Sequence, residues 1–151
     1  MPRRYEQYCP VAQTLDLLGD RWTLLIIRDM LLGMTRFSEF QETLEGIPTN
    51  VLSERLKLLE ANGIVERSLY SDHPPRAEYH LTRKGKDLHW VIEALAYWGS
   101  KYAVDDFRLV DSQCGQDVKP AWFCTGCGQT IKPASVRLRK GSGNWPPSES
   151  D

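Results

Sequence analysis

Several features that would place a protein outside the ordinary globular class are missing from this sequence. No apolar run approaches the roughly 20 residues of a membrane-spanning helix, since the strongest, WTLLII at 22–27, stops at Arg28 and Asp29. The N-terminus carries two arginines with no apolar segment behind them, which argues against a signal peptide. Four cysteines are too few for a disulfide scaffold in a chain of 151 residues. These absences predict a cytoplasmic protein that does not enter a membrane.

The sequence also lacks an excess of positive charge. Its formal net charge is −1 at pH 7, and neither the part before residue 104 nor the part after it is basic. A positive surface for nucleic acid would therefore have to be local. Hydrophobic residues make up 41% and charged residues 26%, so the chain has the composition of a globular domain, with room for a small second module.

Four segments of the first half show the spacing of amphipathic helices, with apolar residues three and four positions apart. The predicted helices cover residues 10–18, 21–32, 37–46 and 49–62. Each ends at a glycine, and Pro10 and Asp20 suit the starts of the first two. The second helix is apolar on most sides, which predicts that it lies at the centre of the core.

The fourth predicted helix has two different faces. Leu52, Leu56 and Leu59 form an inward leucine stripe. The polar residues of the opposite face are Asn50, Ser53, Glu54 and Lys57. Arg55 falls within the apolar arc, which predicts a structural role in which it pairs with a carboxylate or a phosphate.

The periodicity changes from helical to alternating after the fourth helix. Residues 64–70 and 77–82 alternate, and the turn-rich stretch SDHPPR at 71–76 lies between them, which predicts a β-hairpin with a stiff tip. Thr82 is then the predicted cap of a long helix over 83–103. The apolar stripe of this helix exceeds what a small domain needs, which predicts a partner helix from an identical chain. The alternative is that the stripe packs within its own domain.

This order of elements predicts a mainly α fold with a β-hairpin wing, a winged helix-turn-helix, over residues 1–104. Helix 49–62 would enter a major groove, where amide, hydroxyl, carboxylate and ammonium groups can contact base edges, and the wing at 71–76 would meet a minor groove. The candidate DNA-binding residues are Arg36, Thr49, Asn50, Ser53, Glu54, Lys57, Arg76, Arg83 and Lys84. The alternative is a solvated polar face that binds no DNA.

A set of residues between 9 and 88 carries a family resemblance in continuous register. They are Cys9-Pro10, Gly19-Asp20-Arg21-Trp22, Arg36-Phe37, Leu52-Ser53, Arg55-Leu56, Gly63, Pro74-Pro75-Arg76, Tyr79, Leu81-Thr82 and Gly85. This part of the chain resembles the HxlR-type winged helix-turn-helix regulators, relatives of the MarR-like group. The resemblance implies a homodimeric transcriptional regulator, usually a repressor, that dimerises through helices 10–18 and 83–103. Its two recognition helices would read a palindromic operator with half-sites about 34–36 Å apart.

Two further readings stay open at this point. Some members of that family sense oxidants, quinones or aldehydes with a cysteine at the place of Cys9, and the start of a helix favours the reactive thiolate form. The alternative for Cys9 is a small, partly buried residue at the dimer interface. The other functional class is a protein-interaction module that keeps the fold without DNA affinity, which the near-neutral charge and Glu54 would suit.

The C-terminal third contains two short segments of the same pattern, DSQCG at 111–115 and CTGCG at 124–128. Two such knuckles predict a small zinc-ribbon-like β module over 105–140, with a structural zinc ion bound by the four residues Asp111, Cys114, Cys124 and Cys127. Asp111 departs from the Cys or His of that pattern. The alternatives are a ribbon without metal and a labile dithiol at the second knuckle. The polar tail at 141–151 is predicted to be disordered.

Overall fold

The structure is a computed structural model that describes residues 5–6, 8–132, 135–140 and 143–145. The chain folds into two compact units, Met1–Leu95 and Ala96–Asp151, so the boundary falls before the predicted residue 104 and inside a helix. Within the described residues, no helix has the length and apolar character needed to cross a membrane.

Most of the helices lie in the first unit, and the sixth crosses into the second. Their bounds are α1 Pro10–Leu18, α2 Thr23–Leu31, α3 Phe37–Thr43, α4 Thr49–Ala61, α5 Arg83–Lys86 and α6 His89–Tyr102. These positions confirm the four predicted helices of the first half. Helix α1 has the predicted bounds, and α4 ends one residue earlier than predicted. Helix α2 begins two residues later and ends one residue earlier, and α3 ends three residues earlier. Asp20 accepts the backbone N–H groups of Trp22 and Thr23 at 2.8 and 3.1 Å, which confirms it as the cap of α2.

The hairpin consists of β1, Val65–Asp72, and β2, Pro75–Leu81, paired antiparallel. Val65 faces Leu81 in this pairing, as the alternating pattern predicts. The strands run further than expected, because only His73 and Pro74 separate them. The prediction of a loop over 71–76 is therefore wrong. Proline fits the first position of an edge strand, where no ladder N–H is needed.

The prediction of one long helix over 83–103 is also wrong. It is interrupted between α5 and α6 at Asp87 and Leu88. Thr82 caps α5 as predicted, accepting the N–H of Gly85 at 3.2 Å. The backbone N–H of Thr82 donates to the Ile64 carbonyl at 3.0 Å, which holds this first turn against the start of the hairpin. The backbone N–H of Leu88 then donates to the carbonyl of Gly85, three residues earlier, which is the hydrogen-bond pattern of a 3₁₀ turn. Helix α6 begins at the next residue.

The core of the first unit is built around α2 and α4. Ile26 and Ile27 of α2 are fully buried, which confirms α2 as the central helix. Phe40 of α3 and the leucine stripe of α4 pack into the same cluster. Burying a side chain of this size stabilises the fold by about 1.5–3 kcal/mol, so these contacts fix the rotation of α4 about its axis. By contrast, none of the residues of α6 is fully buried.

The second unit is made of short antiparallel pairs. Its strands are β3 Trp122–Phe123 with β4 Thr130–Ile131, and β5 Leu138–Lys140 with β6 Gly143–Trp145. A single bridge also joins Val110 to Asp117. Strand β6 falls in the segment 141–151 that was predicted to be disordered, so the structure differs from that prediction at these three residues. The rest of that segment lies outside the described residues.

Candidate functional site

The polar face of α4 points away from the core. Because the leucine stripe is almost completely buried, Asn50, Glu54 and Lys57 lie exposed on the opposite side. Ser53 lies half-buried among them. Thr49, at the first position of the helix, accepts a hydrogen bond from Gln41 Nε2 of α3 at 3.0 Å. This bond ties α3 to the start of α4, so Thr49 helps to set the angle of the helix-turn-helix.

Arg36 is bound to the hairpin instead of being free for DNA. Its Nε donates to Glu78 Oε1 at 3.1 Å, Nη2 lies 3.0 Å from the same oxygen, and its guanidinium lies 4.8 Å from the centre of the Tyr70 ring. The hydrogen bond to Glu78 raises the pKa of Arg36, and the charge of Glu78 and then Tyr70 add to it. The geometry therefore gives Arg36 a structural partner that its position in the sequence did not indicate.

Arg76 lies in strand β2 of the wing, next to the tip of the hairpin. The tip is the dipeptide His73-Pro74, whose peptide bond is cis. Arg76 is exposed in β2, where it pairs with Ser71 of β1. A side chain at this place is still within the hairpin end that would approach DNA, but it leaves from a strand and not from a loop.

Two candidate DNA-binding residues, Arg83 and Lys84, lie on α5 directly after the wing. Lys84 Nζ donates to the backbone carbonyl of Asn62 at 2.8 Å, at the C-terminal end of α4, where a cation complements the helix dipole. Arg83, the first residue of α5, is exposed. Lys84 therefore stabilises the end of α4, although both residues are exposed.

Arg55 has the structural partner that the sequence predicted. Its Nη1 lies 3.6 Å from Asp20 Oδ2, the other carboxylate oxygen of the residue that caps α2. The ion pair joins α4 to the start of α2. Arg55 is half-buried, so the carboxylate and not the solvent sets its position.

Helices α1 and α6 expose apolar side chains. On α6, Trp90 and Trp98 are 69% and 60% exposed, values that are unusual for residues of this size. The exposed apolar residues of the two helices are Val11 and Leu15 on α1, and Trp90, Val91, Leu95, Trp98 and Tyr102 on α6. The α6 residues are called the α6 stripe below.

Cys9 lies at the N-cap of α1. Its side chain is half-buried and its thiol is not in a disulfide. The carbonyl of Cys9 accepts the N–H of Gln13 at 3.0 Å, which closes the first turn behind Pro10. The structure thus places the thiol at the helix start, as the sequence predicted.

Two knuckles of matching backbone geometry occupy residues 111–116 and 124–129. In each, the carbonyl of the first residue accepts the N–H of the fifth, and the N–H of the first residue donates to the carbonyl of the sixth. These distances are 2.7 and 2.9 Å in the first knuckle and 2.8 and 2.9 Å in the second. The fifth residues, Gly115 and Gly128, have φ values of 72° and 68°, the left-handed region that glycine enters freely. Both knuckles are therefore closed by their own backbone.

The first side chain of each knuckle is a hydrogen-bond acceptor. Asp111 Oδ1 accepts the N–H of Gln113 at 2.8 Å, and this bond, followed by bonds from the thiol and N–H of Cys114, lowers the pKa of Asp111. The sulfur of Cys124 accepts the N–H and then the thiol of Cys127, with a further bond from a glycine N–H, and these lower the pKa of Cys124. The carboxylate of Asp111 and the sulfur of Cys124 thus occupy equivalent positions in their two turns.

The predicted zinc ligands are not gathered into one site. Asp111 contacts Cys114, and Cys124 contacts Cys127. Across the part of the chain that the structure describes, which includes all four residues, no three His, Cys, Asp or Glu side chains lie where they could share a metal ion. A structural zinc site needs four ligands around one ion. The structure places the four residues as two pairs and not as one site, and zinc binding stays a prediction.

Comparison with known proteins places this architecture. The profile of the HxlR-like helix-turn-helix family matches residues 17–107. An uncharacterized HTH-type transcriptional regulator of Mycobacterium tuberculosis is 39% identical over 137 residues, which are 88% of this chain and 86% of that protein. The crystal structure of PA1607, a proposed transcription factor, is similar with a TM-score of 0.74 at 34% identity and covers 89% of this chain and 96% of its own.

A further similar structure is the redox regulator HypR in its oxidized form. It is 36% identical with a TM-score of 0.59, and the match covers 64% of this chain and all of that one. The family profile spans more than half of the chain, and the matched residues include the helix-turn-helix and the wing. The chain therefore belongs to the HxlR-like helix-turn-helix family of transcriptional regulators.

Proposed function

We propose that the protein is a homodimeric repressor that binds a palindromic operator, with α4 in the major groove and the wing at the adjacent minor groove. The observation that carries this proposal is the exposed polar face of α4. Asn50 offers the amide that pairs with adenine, Lys57 an ammonium for guanine or phosphate, and Glu54 an acceptor for the cytosine amino group. Arg76 and Arg83 are exposed and supply positive charge next to α4.

The homodimer is supported by the α6 stripe and by the apolar residues of α1. Two tryptophans more than half exposed on one helix are costly in water, and a second copy of the same helix would cover them. A two-fold dimer presents two copies of α4, which suits a palindrome whose half-sites lie about one helical turn apart. Such a dimer bound across a promoter would block transcription, which is the basis for proposing repression.

The test is selection from a pool of random DNA duplexes at low salt, followed by affinity measurements on the recovered sequence. We expect a palindromic sequence whose affinity falls steeply as salt rises. Lys57→Ala should weaken binding by about 1–3 kcal/mol, the range for a good base contact. Lys119→Ala removes an exposed lysine from the second unit and is the matched control, which should bind as the native chain does.

Two results would count against this function. If the protein retained no duplex at low salt, the protein-interaction module would be the better description. If it bound DNA and Lys57→Ala, Asn50→Ala and Arg76→Ala all bound equally well, the DNA contact would not involve α4 and the wing.

We also propose that Cys9 gives this regulator a redox input. The support is its half-buried thiol at the start of α1 and the similarity to HypR, a redox regulator. In a chain whose other three cysteines are replaced by serine, oxidised glutathione should change the operator affinity, because only Cys9 can react. Unchanged affinity in that chain, with Cys9 shown by mass to be modified, would contradict the proposal.

A further inference from the structure

We propose that Cys124 and Cys127 form a reversible disulfide, which makes the second knuckle a thiol–disulfide switch for small disulfides such as oxidised glutathione. The site lies wholly within the second unit. It is separate from Cys9 and does not depend on DNA binding, so its failure and the failure of the proposed function can be told apart.

The backbone of the knuckle holds the two cysteines in one closed turn before any oxidation. Cys124 and Cys127 are the first and fourth residues of that turn. Two backbone hydrogen bonds of 2.8 and 2.9 Å close it around them, and Cys127 is near enough to lower the pKa of the Cys124 thiol. Forming the roughly 2 Å bond of a disulfide therefore needs side-chain rotation within a turn that already exists.

Both sulfurs are accessible to a small reagent. Cys127 is exposed and Cys124 is half-buried, and both are free thiols. Gly126, between them, leaves the sulfur of Cys124 uncrowded, since even an added Cβ there would stay 3.8 Å from it. The pair therefore combines proximity with access, the two conditions for exchange with a disulfide in solution.

The first knuckle differs from the second in its first side chain, so it cannot undergo the same oxidation. Asp111 stands where the second knuckle has Cys124, and Cys114 where it has Cys127. An acid and a thiol cannot form a disulfide, so only the second knuckle can be oxidised in this way. Among the described residues no third ligand joins Cys124 and Cys127, which leaves them as a dithiol.

The exchange balances in two steps. The Cys124 thiol loses its proton to water, and its thiolate attacks one sulfur of the small disulfide, whose S–S bond breaks and releases a thiolate that takes a proton from water. The Cys127 thiol then loses its proton to water, and its thiolate attacks the Cys124 sulfur of the mixed disulfide. The bond from Cys124 to the small molecule breaks and releases a second thiolate, which also takes a proton from water. Two protein thiols are oxidised to one disulfide, and one small disulfide is reduced to two thiols.

The experiment uses the full chain with Cys9→Ser, reduced, treated with oxidised glutathione, alkylated, and analysed by intact mass and peptide mapping. We expect a bridge between Cys124 and Cys127 and an alkylated Cys114. Adding Cys127→Ser should stop the reaction at one glutathione on Cys124. Adding Cys114→Ser is the matched control, which removes the other exposed thiol of a knuckle and should leave the bridge unchanged.

Three outcomes would overturn the proposal. The first is alkylation of both Cys124 and Cys127 after the oxidant. The second is a bridge that joins either one to Cys114 or to another chain. The third is a native mass spectrum of the freshly purified protein with one zinc ion per chain that protects both thiols. The mapping on the Cys9→Ser chain answers the question even if a further serine variant fails to fold.

Discussion

Gly85 is the residue at which the packing of the first unit leaves least room. A Cβ added there would lie 2.2 Å from the Ile64 carbonyl oxygen and 2.9 Å from Leu81 Cδ2. The first contact is with backbone and cannot yield by a rotamer change. Gly85→Ala should therefore destabilise the protein by roughly 1–3 kcal/mol in chemical denaturation, the usual cost of overpacking.

Gly99 provides the control for that substitution. It also lies in a helix, and a Cβ added there meets nothing within 4 Å. Gly99→Ala should leave stability unchanged or raise it by up to about 1 kcal/mol, because alanine favours helix over glycine. An equal loss in both variants would mean that the contact with Ile64 does not set the effect.

Glu39 should make the stability of the first unit depend on pH. Its Oε2 accepts the backbone N–H groups of Thr35 and Arg36, each at 2.8 Å, and the bond from Thr35, followed by that from Arg36, lowers the pKa of the carboxyl. A group whose pKa is lower in the folded state stabilises the fold above its unfolded pKa and loses that effect as pH falls through the folded value.

The substitution Glu39→Gln should therefore lower Tm at neutral pH. The gap to the native chain should close as pH falls below about 4.3, the ordinary glutamate value. Glu42→Gln, at an exposed position of the same helix, is the control and should follow the native curve. A gap that persists unchanged in acid would show that the charge of Glu39 is not what stabilises the native chain.

The structural role of a residue could be predicted from the sequence where the periodicity of its own helix showed which side faces the core. Arg55 lies in the apolar arc of its own helix, and this was enough to predict a structural role, with a carboxylate or a phosphate as the partner; the partner is Asp20. Arg36 could not be assigned in this way, because its partner Glu78 is on β2 and 42 residues away in sequence. Periodicity describes the face of one element and carries no information about which residue of another element meets it.

At the scale of elements, Asp29 connects α2 to α3. It is 1% exposed, and its Oδ2 accepts the hydroxyl of Thr43 at 2.6 Å, while Arg28 Nη2 lies 2.7 Å from Oδ1. Asp29→Ala should cost about 1.5–3 kcal/mol, the range for a hydrogen bond to a charged group, as measured by urea unfolding. Asp105→Ala, at an exposed position, should change little. If both variants unfold at the same urea concentration, Asp29 does not join the two helices.

The helices and strands could largely be predicted from the sequence. The break between α5 and α6 and the position of the wing tip could not. The helix-turn-helix and the hairpin register follow from periods of 3.6 and 2 that each segment shows alone. The break between α5 and α6 follows a turn in which Thr82 and Gly85 lie against Ile64, a contact between distant parts of the chain that periodicity does not indicate. The wing tip was misplaced because prolines indicate turns in general, and at Pro75 the residue begins a strand instead.

At the scale of the whole molecule, the proposed homodimer has a direct test. Leu95 belongs to the α6 stripe and is 51% exposed. Leu95→Glu would place a charge in the proposed interface, and we expect a monomer in native mass spectrometry and in light scattering. Leu32→Glu changes another leucine, 71% exposed at the end of α2, and should leave the dimer intact. A dimer of undiminished stability with Leu95→Glu would exclude α6 from the interface.

Composition was a poorer guide to the function of this protein than the predicted order of its helices and strands. The net charge of −1 argued against DNA binding, but it is a weak guide, because charges that pair internally, such as Arg36 with Glu78, count the same as exposed ones. The zinc prediction rested on the spacing of four residues. Spacing describes each knuckle correctly, but it cannot tell whether two knuckles face one another, since that depends on the packing of the module.

Because the two knuckles have the same backbone geometry, one of them can serve as an internal reference for the other in a spectrum. Gly115 and Gly128 have nearly the same φ, and each donates its N–H to the first residue of its turn at almost the same distance. In an amide NMR spectrum, temperature and crowding would move both glycine resonances together. Oxidation of the dithiol would move only that of Gly128. The difference between two peaks of one spectrum would therefore report the redox state of the chain, with no second sample for reference.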